Sequence, residues 1–337
     1  MNMTLFPFDQ YWWFYLAFAA FVVLVLLLDL GAFRKESRRV GLKEAATWTV
    51  GWTVVALTFN YLLYLYAQWT LPLDPRLAGA DHHQLARQVA LEFLAGFVVE
   101  KSLAIDNIFL FVVVFGFLSL PLERQHRVLV YGVLGAVVFR AIFIALGAVL
   151  IEHQWVVLLF GAFLILTGVK LFFAPKREPD PSKNVVLRLL TRSLPVCTDG
   201  NSDRFFLRRE GKFFVTPMFL ALVLIELSDI IFAVDSVPAI FALTREPLIV
   251  FTSNIFAILG LRSMYFLLAG VYDKFHLLKY GLGLVLVFVG LKMVWLNDLF
   301  DGKFPVSWSL LIITVVIGAS TVLSLRFPLK QHAARLS

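Results

Sequence analysis

Charge is what this chain has least of. Only 16% of its 337 residues are Asp, Glu, Lys or Arg, and 60% are hydrophobic. A soluble globular domain carries about 25% charged residues. The shortage excludes a water-facing surface over most of the chain. Cysteine is scarcer still. There is one, Cys197, so no disulfide can form within the chain. The histidines, His82, His83, His126, His153, His276 and His332, all fall in loops or at the ends of apolar runs. Zn²⁺ and Cu⁺ are held by imidazole and thiolate, so the apolar interior offers them no site. No basic residue precedes the first apolar run, where Met1–Gln10 carries only Asp9, which argues against a cleaved signal peptide. No His-Glu-x-x-His occurs and no Ser/His pair falls within the apolar runs, so an intramembrane enzyme is disfavoured.

What is present is a series of apolar runs long enough to span a bilayer. Nine are expected, at 11–31, 46–67, 88–118, 128–151, 155–174, 213–242, 247–270, 277–297 and 306–326. The fold class is therefore an all-α membrane protein, with residues 1–337 as a single transmembrane transporter domain. The net charge is +7. It concentrates in alternate connections: Arg34, Lys35, Arg38, Arg39 and Lys43 follow the first run, and nine Lys or Arg lie between 175 and 212. Arg326, Lys330 and Arg335 follow the last run, and the intervening connections are poor in both residues. The positive-inside rule then puts the N-terminus outside, the basic 175–212 loop inside and the C-terminus in the cytoplasm. This placement accounts for the basic balance, with the bilayer rather than a nucleic acid as the partner.

Against that background five carboxylates stand out. Glu100 and Asp106 lie within the third run; Glu226, Asp229 and Asp235 lie within the sixth. An ionised side chain at a bilayer centre costs about 2.5–3.5 kcal/mol even on the lenient insertion scale. Five on two helices require a compensating partner, and a small cation or protons would serve. Oxygen-only ligands select hard ions, Mg²⁺, Ca²⁺ or Mn²⁺, and the residues do not separate these three. Ser236 is a further candidate ligand, and Asn107, Asn254, Ser228 and Ser253 are either ligands or ordinary interhelical hydrogen-bonding groups. Pro238 cannot donate to the helix and crowds the carbonyl of Val234, which suggests either a broken helix offering that carbonyl or a simple kink. Arg140 and Arg262 are expected as buried charge partners of the acids, and Lys101 as a third cation without an assigned role. Lys170 and Lys292 are expected to snorkel to an interface. Glu92 and Asp29 lie nearer run ends and are expected to be solvated.

A repeat organises these residues. Glu100-Lys-Ser-Leu-Ala-Ile-Asp106-Asn107 aligns with Asp229-Ile-Ile-Phe-Ala-Val-Asp235-Ser236. Phe139-Arg140 aligns with Leu261-Arg262, Gly161 with Gly283, and Gly168-Val-Lys170 with Gly290-Leu-Lys292. Residues 88–174 and 213–297 thus read as two units of three helices. An odd number inverts the second copy, the arrangement of many secondary transporters with ion sites near the midplane. Asp106 is then expected to share a level with Asp229, and Glu100 with Asp235. Runs one, two and nine are left as a scaffold.

The stretches Glu100–Asn107, Glu226–Ala242 and Thr252–Phe266 resemble the signatures of the TerC family of integral membrane proteins, most closely its bacterial manganese exporters. The resemblance runs through nearly the whole chain. It implies Mn²⁺ export across the bacterial inner membrane, with Mn²⁺ as transported substrate and no other cofactor. It also implies that Glu100, Asp106, Glu226, Asp229 and Asp235 bind the metal. Proton coupling is expected because carboxylates carry either ion. Export of another hard divalent cation such as Ca²⁺, and a role in membrane-protein assembly, are the alternatives. The oligomeric state is left open.

Overall fold

The computed structural model describes residues 4–32, 41–173, 204–209, 212–269, 277–300 and 304–327, with Leu187, Arg192, Pro195 and Val196. The side chains of 28–32, Asp106, Arg209 and Lys212 lie outside that description. So do Cys197, most of the basic residues at 33–40 and 174–203, and Lys274, Lys330 and Arg335.

The helices are α1 Phe8–Ala32, α2 Leu42–Thr70, α3 His82–Phe117, α4 Leu122–Leu150, α5 Gln154–Phe173, α6 Pro217–Phe241, α7 Pro247–Leu259, α8 Leu261–Leu268, α9 Leu278–Leu291 and α10 Val306–Arg326. Seven helices are long and apolar enough to cross a membrane, and the bent pair α7–α8 brings the number to as many as eight. This differs from the expected nine. The helix left out is α3, a continuous 36-residue helix. Glu100, Lys101 and Asp106 interrupt its apolar stretch, so length and composition alone do not qualify it.

Local chemistry sets the boundaries. The Asp81 carboxylate accepts from the backbone N–H groups of His83 and Gln84 and caps α3. Pro217 and Pro247 open α6 and α7, where a missing N–H costs nothing. The seventh expected run is broken: Gly260 separates α7 from α8 with a 42° bend. The eighth passes from α9 into a π-helical turn over Lys292–Leu296. Pro238, by contrast, sits inside an unbroken α6, so of the two readings at this proline the broken helix is absent. The expected start of the sixth run at 213 is also corrected. Phe206–Arg209 and Lys212–Val215 pair as an antiparallel hairpin, an exception to the all-α reading. The Thr216 hydroxyl donates to the Arg204 and Phe205 carbonyls and fixes this hairpin to the start of α6.

Helix α3 is central, touching α2, α6, α7 and α10. The packing is crosswise: α3 lies on α7, α4 on α6, and α5 on α9. Two glycine contacts bring α5 and α9 together. A methyl on Gly290 would stand 2.6 Å from the Gly161 carbonyl, and one on Gly168 would stand 2.6 Å from the Gly283 carbonyl. Such small-residue seams let membrane helices approach closely. Phe18, Phe59, Phe93 and Phe256 join α1 and α2 to α3 and α7, with Phe59 and Phe256 centroids 4.7 Å apart. Outward-facing side chains such as Leu16, Val54, Leu166 and Val315 are exposed and apolar, as lipid contact requires.

Candidate ion site

Arg140 is the centre of the buried polar cluster. It lies on α4 at 1% exposure. Its Nη1 donates to Glu100 Oε1 and, at 2.6 Å, to Asn254 Oδ1, with Ser236 Oγ at 3.3 Å. Its Nη2 donates to Asp229 Oδ1 at 3.3 Å. Four helices therefore meet at one guanidinium: α3 through Glu100, α4 through Arg140 itself, α6 through Asp229 and Ser236, and α7 through Asn254. The Asn254 amide nitrogen donates to the Val250 carbonyl at 3.2 Å, which leaves its oxygen facing Arg140. Ser236 follows Asp229 by seven residues, close to two full turns, so both occupy one face of α6. Glu100 and Asn107 stand in the same relation on α3, and Asn107 is buried.

The cluster is not saturated. Glu100 Oε2, Asp229 Oδ2, Glu226 Oε2 and Arg140 Nε are buried without a hydrogen-bond partner. Buried polar atoms in native proteins are nearly always paired, so this concentration of orphans in one place is unusual. Glu226 lies one turn before Asp229 and is half-buried. Its carboxylate occupies the space beside Gly135 on α4, where a methyl group would collide with it. Among the described residues no three Asp, Glu, His or Cys side chains are grouped to hold a metal ion as they stand. The Asp106 side chain lies outside that search.

The expected residues are sorted by this geometry. Glu100 meets Asp229 at Arg140 and not the expected Asp235, while the Asp106 side chain lies outside the described residues. Asp235 lies six residues beyond Asp229, rotated by about 240°. It accepts from the Thr167 hydroxyl of α5 at 3.4 Å instead of joining the cluster. Val234 is 43% exposed on α6, which runs on through Pro238. Ser228 and Ser253 donate to the carbonyls of Leu224 and Val250 in their own helices. Arg262 is buried, with its Nη1 3.4 Å from His126 Nε2. Lys292 is buried rather than snorkelling, whereas Lys170 is exposed as expected. Lys101 Nζ is buried without a hydrogen bond, 5.7 Å from the Phe97 ring centroid and packed against Gly260 at the α7–α8 bend.

Sequence reasoning missed a second polar group. Glu92, expected in solvent, is buried; it accepts from the Thr244 hydroxyl and from Gln88 Nε2 at 2.6 Å. Thr244 Oγ1 also accepts from the Glu246 backbone N–H, and the Glu246 carboxylate accepts the backbone N–H groups of Leu5 and Phe6 at 2.7 and 3.2 Å. The i, i+4 pair Gln88/Glu92 was the available signal. Thr167 was missed because one hydroxyl on an apolar helix carries no pattern.

The comparisons with known proteins agree with a membrane protein of this kind. Residues 85–332 match the integral membrane protein TerC family. A membrane protein of Myxococcus xanthus named STKORF319 is 45% identical over 309 residues, covering 91% of this chain and 90% of that protein. The Escherichia coli K12 protein carrying the name "Putative membrane-bound redox modulator Alx" is 43% identical over 310 residues, covering 90% and 92%. Its namesake in Photorhabdus laumondii is 40% identical over 306 residues, covering 89% and 92%. No solved structure matches.

Proposed function

This chain belongs to the TerC family of integral membrane proteins, and on that premise we propose that it exports a hard divalent cation, Mn²⁺ foremost, in exchange for protons. The observation that carries the reading is the pair Glu100 and Asp229, buried at one level with an unpartnered oxygen on each. Unpaired carboxylate oxygens within a membrane bundle are costly, and an ion pathway is the usual reason for them. Asn254 and Ser236 complete a set of oxygen donors. Mg²⁺ holds its water shell tightly, whereas Mn²⁺ accepts protein oxygens more readily, so a site demanding dehydration favours Mn²⁺. Glu226 and Asp106 would receive the ion on the cytoplasmic side of this level, and Asp235 would pass it outward. That order rests on the topology with the N-terminus outside and the C-terminus cytoplasmic, in the bacterial inner membrane, with α3 counted as the ninth span.

The inverted repeat is part of the same proposal. Crosswise packing of α3 on α7 and α4 on α6 is what a two-fold axis in the membrane plane would generate. So are the paired contacts Gly161–Gly290 and Gly168–Gly283, each the image of the other under the alignment of the two units. A redox role, carried in the relatives' name, would here run through the metal ion, because a single cysteine provides no dithiol pair.

Reconstituted vesicles loaded with Mn²⁺ provide the test. An imposed pH gradient is expected to drive Mn²⁺ movement that reverses with the gradient, and Mg²⁺ is expected to move at least about tenfold more slowly. Flux indifferent to the gradient, or equal for the two ions, overturns the exchange reading. Absence of any divalent flux in sealed vesicles favours a membrane-assembly role.

A further inference from the structure

We infer that Arg140 is a tethered counter-ion that occupies the substrate's own position, so that guanidinium and metal ion alternate in one site. The inference deepens the divalent-cation reading and rests on it. The acceptors around Arg140 are all oxygens: Glu100 Oε1, Asp229 Oδ1, Asn254 Oδ1 and Ser236 Oγ. They come from three helices and converge on a positive charge. Carboxylate, amide and hydroxyl oxygens are also what a hard divalent cation accepts. The guanidinium thus marks where a cation is stabilised in this bundle.

Two features separate a place-holder from a permanent structural pair. A buried ion pair is stable only when its remaining lone pairs and protons are satisfied. Here Arg140 Nε, Glu100 Oε2 and Asp229 Oδ2 are all unsatisfied. Arginine also matches carboxylates best through a two-pronged contact. Arg140 instead gives single contacts to each of two carboxylates on different helices. The fit is that of a group holding two charges at once.

Charge explains why the two cations exclude each other. Glu100 and Asp229 carry −2 together. With Arg140 they sum to −1, with a divalent ion in its place to zero, and with both to +1. Two cations sharing the same oxygens in a low-dielectric interior repel strongly. Ion entry therefore expels the guanidinium, and its return helps to expel the ion. Arg140 also spares the empty carrier a fully uncompensated pair of charges during its return.

The test uses the full-length protein, with free Mn²⁺ measured by electron paramagnetic resonance at binding equilibrium and flux measured in vesicles. Arg140→Gln keeps polar volume and removes the competing charge. It is expected to bind Mn²⁺ at least tenfold more tightly than the wild type while turning over at least tenfold more slowly. Arg140→Lys, whose ammonium reaches fewer of the acceptors, is expected to lie between the two in affinity and to keep part of the flux. A purely structural Arg140 would lower affinity and flux together. Unchanged or weaker binding in a folded Arg140→Gln protein overturns the inference and leaves the transport reading intact. Should Arg140→Gln not fold, unchanged or weaker binding by Arg140→Lys does the same. A wild type that binds no Mn²⁺ overturns both.

Discussion

At the scale of single residues, the acids divide into those that meet at Arg140 and one, Asp235, that stands apart. Glu100 is bonded to a buried guanidinium, whereas Asp235 is half-buried against one hydroxyl. Glu100→Gln is therefore expected to lower unfolding stability by about 2–3 kcal/mol, the worth of a charged hydrogen bond lost in a buried site. Asp235→Asn is expected to change it by less than about 1 kcal/mol. Both are expected to abolish Mn²⁺ flux, so denaturant melts and vesicle assays on the same preparations distinguish the two roles. The acids themselves were legible in the sequence, because charge in an apolar run is rare and costly. Their depth was not, because the crossing point of α3 and α6 is set by packing. Hence Glu100 meets Asp229, although equal steps along the two helices suggested Asp235. Lys101 was equally opaque: Gly260, against which it packs, is brought there by the long-range packing of α7 and α8 on α3.

At the scale of elements, backbone approach decides more than side-chain chemistry. Helices α5 and α9 lie so close that two glycines meet the opposing carbonyls. Gly168→Ala and Gly290→Ala each force a methyl into backbone at 2.6 Å and are expected to cost about 1–3 kcal/mol, the usual penalty of overpacking. If the units are related by two-fold symmetry, the two losses should be similar, as measured by thermal unfolding in detergent. Gly116→Ala, which meets nothing within 4 Å, is the control. Helix existence was readable from the apolar runs, while interruptions were not. Pro238 left a break and a kink equally open, and α6 runs through it unbroken. Gly260, an unremarkable residue in sequence, ends α7 and turns the chain by 42°. The Phe206–Val215 hairpin was hidden in what read as a basic loop, since its strands are only four residues each.

At the scale of the whole molecule, Leu5 and Phe6 are part of the bundle's end. Phe6 is fully buried, and Glu246 accepts the backbone N–H groups of Leu5 and Phe6. Glu246→Ala leaves two donors without their carboxylate and is expected to cost about 1–3 kcal/mol locally. A Leu5→Cys reporter should then react with a membrane-impermeant maleimide several-fold faster in the Glu246→Ala background than without it. The contact from Leu5 to Glu246 spans 241 positions of the chain. During synthesis, Leu5 and Phe6 must wait for the connection between α6 and α7 before their amides find this acceptor. Until then the chain just before α1 lacks this anchor. Leu5 and Phe6 are therefore fastened late, and bulk introduced beside them would interfere with that closing step.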